Sequence, residues 1–182
     1  MPEMKNKSSI ANNGLYHRHK EEIDHLLKKY PLRRSGLLPI LWIIQEEDGW
    51  ISPESMEEAA EICGCTPAEM LEVVSFYQMY HRRPVGKYVL GICGTLPCAL
   101  AGADGLYEYV REKLGIGWNE TTPDGLCTIE RRECLGACSE APLMLVNHVL
   151  ETKLTREKVD LILEECRAGK REPYFTGRKE VE

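Results

Sequence analysis

A change of hydrophobic period near residue 85 constrains the fold more than any other feature of this sequence. From about Leu15 to Met79 the apolar residues recur at three- and four-residue spacing, which is the signature of helices with one buried face. In "HRHKEEIDHLLKKY", Ile23, Leu26 and Leu27 form one stripe, and Pro31 closes the segment. "SGLLPILWIIQEEDGW" places Leu38, Leu41, Trp42 and Gln45 at helical spacing, with Pro39 tolerable only in a first turn. Two helix starts follow. Ser52 is an N-cap with Pro53 at the first helical position. Thr66 and Glu69 form a capping box around Pro67.

At "GKYVLGIC" the pattern becomes a continuous apolar run, as in a buried strand. "ALAGADGLYEYVREKLGIG" reads as a helix stopped by Gly115, and "GLCTIERRE" alternates as a strand. "PLMLVNHVLE" reads as a strand entering a turn or hairpin. "TREKVDLILEECRAG" reads as a closing helix, with Thr155 and Lys158 near its start and Gly169 past its end. The expected class is α+β: a helical region over 15–84, then an α/β domain over 85–168. Residues 1–14 are polar and expected to be disordered, and 169–182 form a charged, extended tail.

Composition excludes several functions. A net charge of −6 argues against a nucleic-acid binder, which would carry a clustered basic excess. No apolar run approaches the roughly 18–20 residues that span a bilayer, so direct membrane insertion is not expected. The N-terminus lacks an apolar signal core, and the chain is expected in the cytoplasm. In that reducing compartment, eight cysteines point to a metal or redox site before a disulfide framework.

Four of them form two spaced pairs. Cys93 and Cys98 stand in "GICGTLPC", Cys134 and Cys138 in "ECLGAC". Cys93 is expected at the end of one strand, with Cys98 in or just before a helix N-terminus. Cys134 is expected at the end of another strand, with Cys138 in the loop beyond. If those strands are neighbours, four thiolates meet at one sheet edge, and a cation must neutralise them. Four thiolates suit tetrahedral zinc or an iron–sulfur centre. Zinc commonly takes C-x2-C knuckles, whereas gaps of four and three residues let two cysteines grip one iron of a two-iron rhomb. Spacing thus favours iron–sulfur and leaves zinc as the alternative. Cys63, Cys65, Cys127 and Cys166 read as structural: a helix C-terminus, a residue stapling onto Met70, a strand interior and a helix stripe.

The sequence also resembles a known family. "GICGTLPCALAGADGLYEYV", "TPDG" and "ECLGACSEAPLMLVN" are similar to the thioredoxin-like [2Fe-2S] subunit of respiratory complex I, NADH:quinone oxidoreductase. "QEEDGWISPESMEEAAEICGCTPAEMLEVVSFYQMY" is similar to that subunit's helical region, and the resemblance spans roughly residues 20–165. It implies a thioredoxin-like domain on which Cys93, Cys98, Cys134 and Cys138 ligate one [2Fe-2S] cluster. It also implies a flavoprotein partner that binds FMN and NADH, further iron–sulfur subunits, and a place in the peripheral arm of a membrane-associated complex. Related subunits serve NAD-linked hydrogenases and formate dehydrogenases, and these stay open as parent complexes. Other open readings are a zinc-stabilised interaction module and a free-standing ferredoxin. No G-x-G-x-x-G follows a strand and no G-x-x-x-x-G-K-[ST] occurs, so no NADH or flavin site is expected in this chain.

Smaller features set further expectations. Gly94, Thr95, Gly136, Ala137 and Ser139 flank the four cysteines and can donate hydrogen bonds to sulfur or simply build turns. Pro142 begins a strand, and its isomeric state is left open. His148 lies ten residues past Cys138, but four cysteines leave no need for a histidine ligand. Trp50, Phe76, Tyr77 and Tyr80 serve either the core or a partner. Arg131 and Arg132 precede "ECLGAC", where the family has an apolar or acidic neighbour. Strand alternation groups Arg131 with Cys127 and Ile129, and if that set faces inward Arg131 has to bend toward the cluster or a partner carboxylate. The plainer reading is a solvated pair matched by Glu130 and Glu133.

Overall fold

Ser52 and Thr66 start two helices as their side chains dictate. The Ser52 hydroxyl accepts the Ser55 amide at 3.1 Å. Thr66 and Glu69 cap each other reciprocally, through Thr66 N to Glu69 Oε2 at 2.8 Å and Glu69 N to Thr66 Oγ1 at 3.3 Å. The computed structural model describes residues 14–174, so the expectations for residues 1–13 and 175–182 lie outside the described residues. The chain divides into two units between Arg83 and Pro84.

The first unit is helical: α1 (Leu15–Arg18), α2 (Lys20–Leu27), a 3-10 turn (Arg33–Gly36), α3 (Leu37–Asp48), α4 (Pro53–Cys63) and α5 (Pro67–Phe76). Its core is lined by Ile23, Leu27, Ile40, Leu41, Ile44, Ile51, Met70 and Val74. The buried stripe of α3 is wider than the sequence suggested. It takes in Leu37, Ile40, Ile43 and Ile44 beside Leu41 and Gln45, while Leu38 turns outward. Gln45 is fully buried and satisfied at both ends. Its Nε2 donates to Met79 O at 2.7 Å, and its Oε1 accepts the His81 amide at 2.6 Å. Of the aromatics, Tyr80 is buried with its hydroxyl on Leu38 O at 2.8 Å, whereas Phe76 is exposed. Cys63 is buried and Cys65 half-buried against the same core.

The second unit is a four-stranded mixed sheet with three helices. Its elements are β1 (Tyr88–Cys93), α6 (Leu96–Leu100), α7 (Ala103–Leu114), β2 (Cys127–Arg132), β3 (Met144–Val146), β4 (Val149–Glu151) and α8 (Arg156–Arg167). The strand order is β2-β1-β3-β4, with β1 parallel to β2 and antiparallel to β3. The expected single helix before Gly115 is two helices, because Gly102 takes φ 94° and breaks it. Tyr88, Leu90 and Ile92 pack with Ile129, Val110, Val159 and Ile162 into one core, which also holds Cys127 and Cys166. Asn147, at the hairpin turn, is buried and knits three segments together. Its Oδ1 accepts the Val89 amide at 2.7 Å, and its Nδ2 donates to Glu172 O at 2.8 Å. Beyond α8 the chain returns to the start of β1, where the Tyr174 amide donates to Lys87 O at 2.8 Å.

Gln45→Ala should destabilise the helical unit by about 3 kcal/mol, because it strands a buried carbonyl and a buried amide. Thr66→Ala, which removes an exposed cap, should cost about 1 kcal/mol. Urea unfolding followed by circular dichroism measures both, and a larger loss for Thr66→Ala would contradict the ranking.

Candidate metal centre

Parallel pairing decides where the cysteines meet. Cys93 is the last residue of β1, and its register partner Arg132 is the last residue of β2. The two strands therefore deliver their C-terminal ends to one edge of the sheet. Beyond that edge, Gly94 N donates to Arg132 O at 2.9 Å and Cys93 N to Leu143 O at 3.0 Å. Three segments are thus tied together there: the loop after β1, the loop after β2, and the residues leading into β3. The Ala141–Pro142 peptide bond, on the last of these, is cis.

Cys98 sits inside α6, not before it, and Cys134 lies two residues past the end of β2, not at its last position. Cys138 opens a 3-10 turn, Cys138–Glu140. The pairs differ in exposure: Cys93 and Cys98 are fully buried, Cys134 and Cys138 exposed. Cys134 Sγ and Cys138 Sγ are 3.8 Å apart. Metal–sulfur bonds of about 2.3 Å in a tetrahedral field set neighbouring thiolates about 3.8 Å apart, so this pair is spaced as two ligands of one metal. Among the described residues, no three His, Cys, Asp or Glu side chains gather as ligands of a single ion. The sulfurs stand as two pairs.

The surroundings donate hydrogen bonds to sulfur. Cys93 Sγ lies 3.3 Å from Thr95 Oγ1. Burial pushes the Cys93 thiol up, but the Thr95 hydroxyl and amide, the Leu135 amide and the Cys98 thiol together hold it below the ordinary thiol value. Cys98 is pushed up to about 11, by burial first and then by its neighbour Cys93, against a donation from the Leu143 amide. The Cys138 thiol is raised, chiefly by its contact with Cys134, and the Cys93 charge also reaches it. The two pairs therefore lie within electrostatic range of each other.

Thr95 has its hydroxyl within hydrogen-bond reach of Cys93 Sγ, as its place in the sequence suggested. The amides of Leu135 and Leu143 were missed, because backbone donors leave no signal in an apolar side chain. His148 stands elsewhere. Its ring lies against Tyr174, 4.7 Å between centroids, at the end of β1 opposite Cys93. Cys127 and Cys166 are buried in the core, where their strand and helix stripes put them.

The sequence pattern of the thioredoxin-like [2Fe-2S] ferredoxin family matches residues 23–167, which takes in both units. The chain belongs to this family. Among its relatives, this ferredoxin-family chain is similar to NADH-quinone oxidoreductase subunit 2 of Thermus thermophilus, at 44% identity over 161 residues covering 87% of this chain and 89% of the relative. It is also similar to an NADH-quinone oxidoreductase subunit of Mycobacterium bovis, at 39% identity over 149 residues. That match covers 81% of this chain but only 59% of the longer mycobacterial protein. A crystal structure of an NAD+-reducing [NiFe]-hydrogenase in the air-oxidized state shares the fold, with a TM-score of 0.61 at 19% identity over 71% of this chain and 23% of that one.

The loop between Cys134 and Cys138 turns at Gly136, where φ is 79° and the space that a side chain would fill is open. Gly136→Ala should therefore destabilise the fold by about 1 kcal/mol through backbone strain alone, and Gly136→Asn by less, as asparagine tolerates the left-handed region. Denaturant midpoints of the two variants measure this, and equal midpoints for wild type and Gly136→Ala would contradict it.

Proposed function

We propose that this chain is the electron-transfer subunit of an NADH-oxidising complex, NADH:quinone oxidoreductase, and that Cys93, Cys98, Cys134 and Cys138 hold its single [2Fe-2S] cluster. One observation carries the site assignment: both cysteine pairs arrive at the edge where parallel β1 and β2 end, with Cys134 two residues past the end of β2 and Cys93 at the end of β1. A four-thiolate zinc ion needs all sulfurs around one point. A two-iron centre needs two pairs, and the 3.8 Å between Cys134 Sγ and Cys138 Sγ suits one such pair.

The protein's own groups suit such a centre. The Thr95 hydroxyl and the amides of Leu135 and Leu143 donate toward thiolate sulfur, which stabilises negative charge there. The buried pair excludes water from one side, while the exposed pair leaves the other side open. Bound there, the cluster supplies one-electron redox chemistry. The similarity to NADH-quinone oxidoreductase subunits supports a place in that complex. In this reading FMN and NADH bind to a partner flavoprotein, further iron–sulfur subunits follow, and the assembly forms a peripheral arm. No helix among the described residues is long and apolar enough to cross a membrane.

Replacing Cys93, Cys98, Cys134 or Cys138 by Ala should abolish or severely weaken cluster retention, measured as iron and acid-labile sulfide per chain. Replacing Cys63, Cys127 or Cys166 by Ala should keep the cluster and cost about 1–3 kcal/mol of packing. A cluster kept in Cys134→Ala but lost in Cys127→Ala would refute the assignment. The isolated chain should take up electrons from dithionite yet show no heat of NADH binding. Stoichiometric micromolar NADH binding in a calorimeter would place that site here instead.

A further inference from the structure

Arg131 is neither a core residue nor a freely solvated one. It is the last residue but one of β2, on the face that carries Cys127 and Ile129, opposite Ile92 in the register. From there its side chain runs across Gly94, the residue directly after Cys93. Nη2 donates to Gly94 O at 2.8 Å. A Cβ at position 94 would lie 2.7 Å from Arg131 Cγ and Cδ and closer still to Nε, so the loop between Cys93 and Cys98 leaves room for this arginine only because residue 94 has no side chain. Two further contacts fix the guanidinium. It lies over the Trp118 ring, 5.7 Å from the centroid, and Trp118 in turn stacks on Tyr107 at 4.2 Å. Asp104 Oδ1 stands 3.4 Å from Nη2.

Its neighbour behaves differently. Arg132 is mostly buried, lies against Gly91 and pairs with Glu130 at 2.7 Å, so a carboxylate in contact answers its charge. The counter-ion of Arg131 is the more exposed of that pair, at 65% against 44%, and water screens it more.

We propose that Arg131 is a positioning and charge-setting residue for the cysteine centre: it pins the Gly94 carbonyl and holds a cation against the loop that joins Cys93 to Cys98, which favours the reduced state. The inference rests on the cluster assignment above. Each electron taken up adds one negative charge to the centre, and a fixed cation nearby lowers the free energy of that state.

Dithionite titration of the whole chain, followed by EPR of the reduced centre, tests this. Arg131→Gln keeps a polar side chain but removes the charge. It should shift the reduction equilibrium about threefold toward the oxidised form, which is about 30 mV more negative at roughly 59 mV per tenfold. Arg131→Lys should stay closer to wild type, and Asp104→Asn should move the potential the other way, a reversal that a purely structural role would not produce. Gly94→Ala expels the side chain from the loop while leaving every charge in the chain. It should follow Arg131→Gln, and it serves as the test if Arg131→Gln fails to keep the centre. A wild-type potential in Arg131→Gln, or one in Arg131→Lys as negative as in Arg131→Gln, overturns the proposal. Iron and sulfide absent from the wild-type chain would overturn the cluster assignment itself, a result read before any potential is measured.

Discussion

The parallel pairing of β1 with β2 is the constraint on which the candidate site depends. Two strands that run the same way end at the same edge, so residues far apart in sequence arrive together. The register Tyr88↔Cys127 through Cys93↔Arg132 leaves both strands six residues long and finishing level. A slip of one residue would turn Arg131 to the other face and carry Cys134 away from Cys93. The register is held by what it buries. Tyr88, Leu90 and Ile129 lie on one face of the sheet in the main core, and Asn147 locks Val89 from the neighbouring hairpin.

From that edge follows the asymmetry of the site. Cys93 ends a strand buried along its whole length and Cys98 lies in a helix whose inward side faces the same core. Their positions are set by packing. Cys134 and Cys138 stand on a short exposed loop, held by a glycine turn and by the 3-10 turn that follows. Their positions are set by backbone geometry. One side of the centre is therefore rigid and dry and the other accessible, which suits a group that must be both retained and reached.

The helical unit shows a different balance. Its helices are started by local chemistry at Ser52 and Thr66 and held together by aliphatic burial. The buried Gln45 side chain adds specificity: with a donor and an acceptor at its end, it fixes the segment Met79–His81 against α3 in one arrangement only. Phe76 remains exposed at the end of α5, while Tyr80 four residues on is buried, so the aromatic run divides between the surface and the core.

Much of this was legible in the sequence because its causes are local. Caps need a hydroxyl and a carboxylate three residues apart, strands and helices differ in period, and the spaced cysteine pairs announce a metal centre wherever they fold. What the sequence could not determine were the long-range choices. Periodicity put Arg131 on a face but not across Gly94, because that contact depends on how the end of β2 meets the loop after β1. Gln45 read as one member of a stripe, and only the return of the chain at Met79 and His81 supplied its partners. The four candidate sulfurs were proposed from their spacing, but the amides of Leu135 and Leu143 near two of them were not. Every residue carries the same backbone donor, and tertiary structure alone decides which of those donors faces sulfur.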